Sequence, residues 1–94
     1  MTDIRVTRGA DVERFLSRFE VTVDEEGVST HHTVTLSSSD YERLGGRHPT
    51  PESFVQACFD FLLQREPKES ILPSFDVSAI GDHFPEFERR IQGL

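Results

Sequence analysis

Tryptophan is absent from this chain of 94 residues, and cysteine, tyrosine, methionine and lysine each occur once. The single Cys58 excludes an intramolecular disulfide, and its place inside an apolar run reads as an inert buried thiol rather than a nucleophile. No apolar run approaches the roughly 18 residues that a membrane-spanning helix needs. The opening Met1-Thr2-Asp3-Ile4-Arg5 has no apolar h-region of a secretion signal, so the expected location is cytoplasmic. Basic residues are also scarce: ten against seventeen acids, for a formal charge of −7. The acids divide nine to eight between residues 1–47 and 48–94, so the negative field is even. Such a field repels phosphate backbones and anionic lipid, which argues against nucleic acid or a membrane surface as the main partner.

Apolar residues are modestly supplied, at 38 of 94 with glycine counted and tyrosine left out, slightly under the globular norm of roughly 45–50%. Eight phenylalanines offset this, since each aromatic buries about 150 Å² or more. The expectation is a single domain over residues 1–94 with a small, aromatic core.

Alternation dominates the first half. Phe19, Val21 and Val23 fall on one side of a run whose other side carries Glu20, Thr22 and Asp24. After Glu25-Glu26-Gly27, His32, Val34 and Leu36 alternate against His31, Thr33, Thr35 and Ser37. The two runs predict a β-hairpin over about residues 19–37 with one wet face, and a loop longer than two residues. Ile4 and Val6, flanked by Asp3, Arg5 and Thr7, predict a third strand, because a two-stranded hairpin alone is marginal in water. Residues 10–16 fit two templates equally. Val12, Phe15, Leu16 and Phe19 have helical spacing after Asp11, whereas Phe15, Phe19, Val21 and Val23 fit one face of a long strand.

Helix signals dominate the second half. Ser38 or Ser39 caps a short helix through Leu44, with Asp40 and Glu42 in its first turn and Gly45-Gly46 as its stop. Thr50 caps a longer one with Pro51 at its first position, running to about Glu66 before Pro67. At 100° per residue, Phe54, Val55, Cys58, Phe59, Phe61, Leu62 and Leu63 cover an arc of roughly 200°, wider than a surface helix requires. That helix is therefore central and touched on two sides, or it is partly covered by a second subunit. Short helical turns follow over Pro67 to Leu72, Val77 to His83 with Asp76 as cap, and Pro85 to Gln92. The predicted class is α+β, a small antiparallel sheet followed by a Phe-rich helical segment.

Chemistry-bearing residues do not assemble into a motif. His31 and His32 are adjacent on a strand and point to opposite faces; His48 and His83 form no HxxxH or HExxH pair, so no metal set and no cofactor is expected. Ser70, Asp76 and His83 make a triad only on paper, without a GxSxG elbow. Gly45-Gly46 lacks the context of a phosphate loop, and Glu25-Glu26 is a solvated turn. Arg5, Arg8, Arg14 and Arg18 form a basic stretch nearly neutralised by Asp3, Asp11 and Glu13, which reads as a solvated strand edge.

The most distinctive string is Phe61-Leu62-Leu63-Gln64-Arg65-Glu66-Pro67-Lys68-Glu69-Ser70-Ile71-Leu72, then Phe75-Asp76-Val77, Ile80 and Phe84-Pro85-Glu86-Phe87. Over residues 54–89 it resembles a family of short uncharacterised bacterial proteins with an FLLxREPKESIL…FDxSxI…FPE-type ending. The resemblance implies kinship but neither an activity nor a catalytic residue. Physically, the string folds back as a core-closing cap, or it leaves Phe61, Ile71, Phe75, Phe84 and Phe87 as an interaction surface. The leading expectation is a non-enzymatic interaction or regulatory module that self-associates through an apolar helix surface. The alternatives are a nucleic-acid-linked regulator, and a small-ligand binder or enzyme without a recognisable motif.

Overall fold

The computed structural model describes residues 2–93. Strands β1 (Thr2–Arg8), β2 (Leu16–Glu25) and β3 (Val28–Ser37) form an antiparallel meander, and the three-residue β4 (Ser74–Asp76) adds to β3 in parallel. The class is α+β as predicted, but the sheet is mixed and four-stranded. β4 escapes sequence reading because three residues between two prolines and a helix carry no resolvable period.

The hairpin register is set by its turn. Glu25 pairs directly with Val28, leaving Glu26 and Gly27 as a two-residue connection with φ of 52° and 81°. Two positive φ values in succession match the right-handed twist of the flanking strands, so the turn is tighter than expected. Phe19, Val21 and Val23 on β2 and His32, Val34 and Leu36 on β3 then point to one face, all of them buried. β1 continues that face with half-buried Ile4 opposite Val23 and Val6 opposite Val21.

Residues 10–16 are neither helix nor strand until Leu16. A turn sets Glu13 against Leu16, and Phe15 sits at its tip with φ of 69° and 68% of its surface exposed. Val12 is exposed as well, so Phe15 leaves the core that both templates gave it and Val12 the one that the helical template gave it. The backbone wins here: the Phe15 carbonyl accepts the Ser38 N–H at 2.9 Å, joining the start of β2 to the end of β3.

Helix α1 (Ser38–Leu44) starts one residue earlier than expected, capped by Ser37, whose hydroxyl accepts the Asp40 N–H. Helix α2 (Pro51–Leu63) carries the predicted Thr50 cap, made reciprocal by Ser53. It ends three residues before Glu66, with Gln64 as its C-cap. A single 3₁₀ turn spans Lys68–Ser70, followed by α3 (Ser78–His83) and α4 (Phe87–Ile91). Asp76 closes β4 instead of occupying the cap position, yet its carboxylate still accepts the Ser78 N–H at 3.0 Å.

The wide apolar arc of α2 is covered by this chain itself. Phe59 reaches the sheet, with its ring 5.3 Å from His32 and 5.9 Å from Phe75. On the other flank Phe61 meets Phe87 at 5.1 Å and Phe84 at 5.8 Å. Of the two readings left open, the central helix touched on two sides is the observed one. Phe59 is fully buried, and Phe59→Ala is expected to cost about 3–5 kcal/mol in urea unfolding. The exposed Gln56→Ala should stay within about 0.5 kcal/mol. Phe15→Gly is expected to be neutral to stabilising, by up to about 1 kcal/mol, since glycine takes positive φ without strain.

Candidate functional site

Past the end of α2, Pro67 turns the chain back towards the sheet, and the returning segment is pinned by His32. The Leu72 carbonyl can only accept, so His32 Nδ1 donates to it at 2.8 Å, and in the neutral ring Nε2 accepts from Thr30 Oγ1 at 2.9 Å. Thr33 N–H adds a bond to the Pro73 carbonyl at 2.8 Å. Between these tethered residues, the end of α2 and α3 lies a cleft of about 270 Å³. Leu62, Ile71, Phe75, Ile80 and Phe84 give it an apolar lining; Glu66, Ser70 and His83 supply its polar groups, and Leu72 lies exposed on it.

Three of the five residues read from sequence as an interaction surface, Ile71, Phe75 and Phe84, line this cleft. Phe75 and Phe84 are half-buried there, while Ile71 is buried. Phe61 and Phe87 lie outside the cleft lining and inside the core, and the Arg65 guanidinium stands 3.6 Å from the Phe61 ring centroid. Arg65 is thereby held over an aromatic face and near Glu86 at 3.7 Å.

Ser70 and His83 share the cleft, but the third member of the paper triad is elsewhere. The Asp76 carboxylate is occupied by Thr35 Oγ1 at 2.6 Å and by Ser78 Oγ at 2.7 Å. Among the described residues no hydrogen bond joins Ser70 to His83, and Asp76 is bonded to Thr35 and Ser78 instead. His31 lies on the wet face beside Thr22, opposite to buried His32, as alternation requires. Among the described residues no group of three or more His, Cys, Asp or Glu side chains is placed to hold a metal ion. Among the described residues no helix is long and apolar enough to cross a membrane.

A second, more polar cavity of about 430 Å³ lies between α2 and α4, bounded by His48, Asp60, Gln64 and Arg90. Partial burial raises the Asp60 carboxyl above its ordinary pKa. His48 is a clamp here: its Nε2 donates to the Ile91 carbonyl at 3.2 Å, its ring meets Phe54 at 5.5 Å, and its own carbonyl accepts from Tyr41.

The remaining surface feature is the outer edge of β1. All seven residues pair with β2 without a bulge, and the far side of the strand has no neighbour in the sheet. Prolines and bulges, which blunt natural edges, are missing from it, while Asp3, Arg5 and Arg8 place charge along it. The basic stretch is mostly neutralised: Arg5 reaches Asp24 at 3.0 Å, Arg8 reaches Asp11 at 3.5 Å and Arg18 reaches Glu20 at 3.5 Å.

Lys68 was not singled out by any motif, yet it is only 6% exposed. Its ammonium meets Glu69 at 2.8 Å and Glu25 at 3.5 Å, and both carboxylates remain half in solvent. Glu69 first, then Glu25, raise the Lys68 pKa, and Lys68 lowers that of Glu69. A lone lysine just past a helix-stopping proline is the only sequence signal for this link. No protein-family profile, curated protein or solved structure matches the chain.

Two outcomes follow from these environments. Burial pushes the Cys58 thiol well above its ordinary pKa, so the native protein should resist iodoacetamide at pH 8 and react only in denaturant. The lowered Glu69 contributes stability above its unfolded value near 4.3 and loses it as pH falls through the folded value. The raised Lys68 contributes below about 10.4 and loses it as pH rises through its own folded value. Glu69→Gln should therefore lower the urea midpoint at neutral pH, with the difference from wild type vanishing in acid.

Proposed function

We propose that the protein is a non-enzymatic interaction module of the cytoplasm that associates with a second copy of itself. The observation that carries this reading is the open β1 edge, where half-buried Ile4 and Val6 border a row of unpaired backbone groups. An open edge is a template for strand addition, and apolar residues beside it gain burial when a partner strand arrives. β1 carries Arg5 and Arg8 against Asp3, and with Asp24 and Asp11 beside the two arginines this edge is close to neutral. In a chain of charge −7, two copies repel less at a near-neutral edge than elsewhere. The association surface thus differs from the apolar helix face expected from sequence, because the chain covers that face itself. Kinship with short bacterial proteins, proposed on residues 54–89, adds no activity to this reading. Sedimentation equilibrium should give about twice the 10.7 kDa monomer mass with rising concentration. A strict monomer at millimolar protein overturns the proposal.

A second reading, a binder of small apolar ligands, is favoured by the cleft beside Phe75 and Phe84. At about 270 Å³ it falls below the roughly 300–1,000 Å³ of drug-sized sites, which ranks it second. Ala79 lines the cleft from α3, so Ala79→Phe should fill it and abolish the fluorescence enhancement of anilinonaphthalene sulfonate. Unchanged enhancement in that variant removes the cleft as a ligand site.

A further inference from the structure

We infer that two copies join through β1 in an antiparallel pair centred on Ile4, with Asp3 of each copy facing Arg5 of the other. This inference rests on the self-association reading and specifies its register.

The direction of the free backbone groups comes first. Gly9 N–H donates to the Arg18 carbonyl at 2.8 Å, and the β1–β2 register extends to place Gly9 directly opposite Arg18. In an antiparallel ladder the directly opposite pairs alternate between hydrogen-bonded and non-hydrogen-bonded. The odd-numbered residues Asp3, Arg5 and Thr7 therefore bond towards β2. Thr2, Ile4, Val6 and Arg8 turn their N–H and C=O groups to the open edge.

Charge selects among the registers that a two-fold axis permits. Such an axis, perpendicular to the sheet, keeps the helices of both copies on the same side. It also makes one residue its own partner. Centring on Arg5 sets two guanidinium groups opposite each other, and centring on Asp3 does the same with carboxylates; both are destabilising. Centring on Val6 puts Ile4 opposite Arg8 on the face that buries apolar side chains. Centring on Ile4 avoids all of this. Ile4 exchanges both backbone bonds with its twin, Thr2 does so with Val6, and Asp3 faces Arg5 twice as non-hydrogen-bonded pairs, where side chains approach closest. Both side chains are mostly exposed, at 67% and 69%; Arg5 already meets Asp24 at 3.0 Å and Asp3 of its own chain at 3.9 Å, exposed contacts that are weak enough to exchange for a partner across the new pair. The product is a continuous eight-stranded sheet with Ile4 at its centre, extending one apolar face across two copies.

Charge reversal in the intact protein tests the register, with sedimentation equilibrium as the readout. Asp3→Arg alone and Arg5→Asp alone should each weaken self-association about tenfold or more. An equimolar mixture of the two single variants should associate again, and the double variant Asp3→Arg/Arg5→Asp should self-associate near the wild-type level. Both positions are exposed, and circular dichroism verifies that each variant keeps its fold. Wild-type dimers whose affinity is unchanged by either single reversal, or whose loss the mixture does not restore, overturn this register and leave self-association standing. A wild-type protein that stays monomeric overturns both.

Discussion

Helix α2 needs cover on two sides, and the rest of the molecule is arranged to provide it. Phe59 and Phe54 require a sheet face or other aromatic rings beneath them, while Phe61 and Leu62 require something on the flank. One layer of secondary structure covers an apolar stripe of about 100° and α2 carries twice that. The strands supply the first layer through Phe19, Val21 and Val34. The stretch after Pro67 supplies the second through Ile71, Ile80 and Phe87. Continuing α2 beyond Leu63 would carry that stretch away from the flank, so the stop at Pro67 is a condition for closure.

His32 connects the two layers. A histidine in the middle of an apolar strand face is costly unless both nitrogens are satisfied, and here Thr30 and Leu72 satisfy them. The same bond to Leu72 positions residues 71–75, lets Ser74–Asp76 pair with β3, and so defines one wall of the cleft. The cleft is thus a by-product of how α2 is covered. Its Ser70 and His83 stand on two elements placed for packing, and Asp76 is bonded to Thr35 and Ser78 instead.

Polar links complete the frame at the periphery. Arg43 joins Glu88 and Asp40, which raise its pKa, and the Glu88 contact ties α1 to α4. Lys68 ties the turn after Pro67 to the end of β2. On the opposite margin, β1 has one paired side and one open side. Its open side leaves backbone hydrogen bonding to water, as does the far side of β4 at the other end of the sheet.

Much of this was legible in the residues themselves. Alternation over 19–24 and 30–37 determined the hairpin, its inward face and the split between His31 and His32, because side-chain direction in a strand reverses at every residue. Thr50, Pro51 and Pro67 determined where the main helix starts and where it must have stopped, because capping and the missing proline N–H act within one turn. What only the tertiary structure decided depends on partners remote in sequence. The parallel strand β4 exists because β3 offers an edge and His32 holds Leu72 beside it. Val12 and Phe15 point to solvent because Ser38 claims the Phe15 carbonyl. The division of the Phe-rich ending, with Phe61 and Phe87 in the core and Phe75 and Phe84 at a cleft, was decided by which side of α2 each turn reached. Periodicity reports which residues share a face; it carries no information about what that face meets.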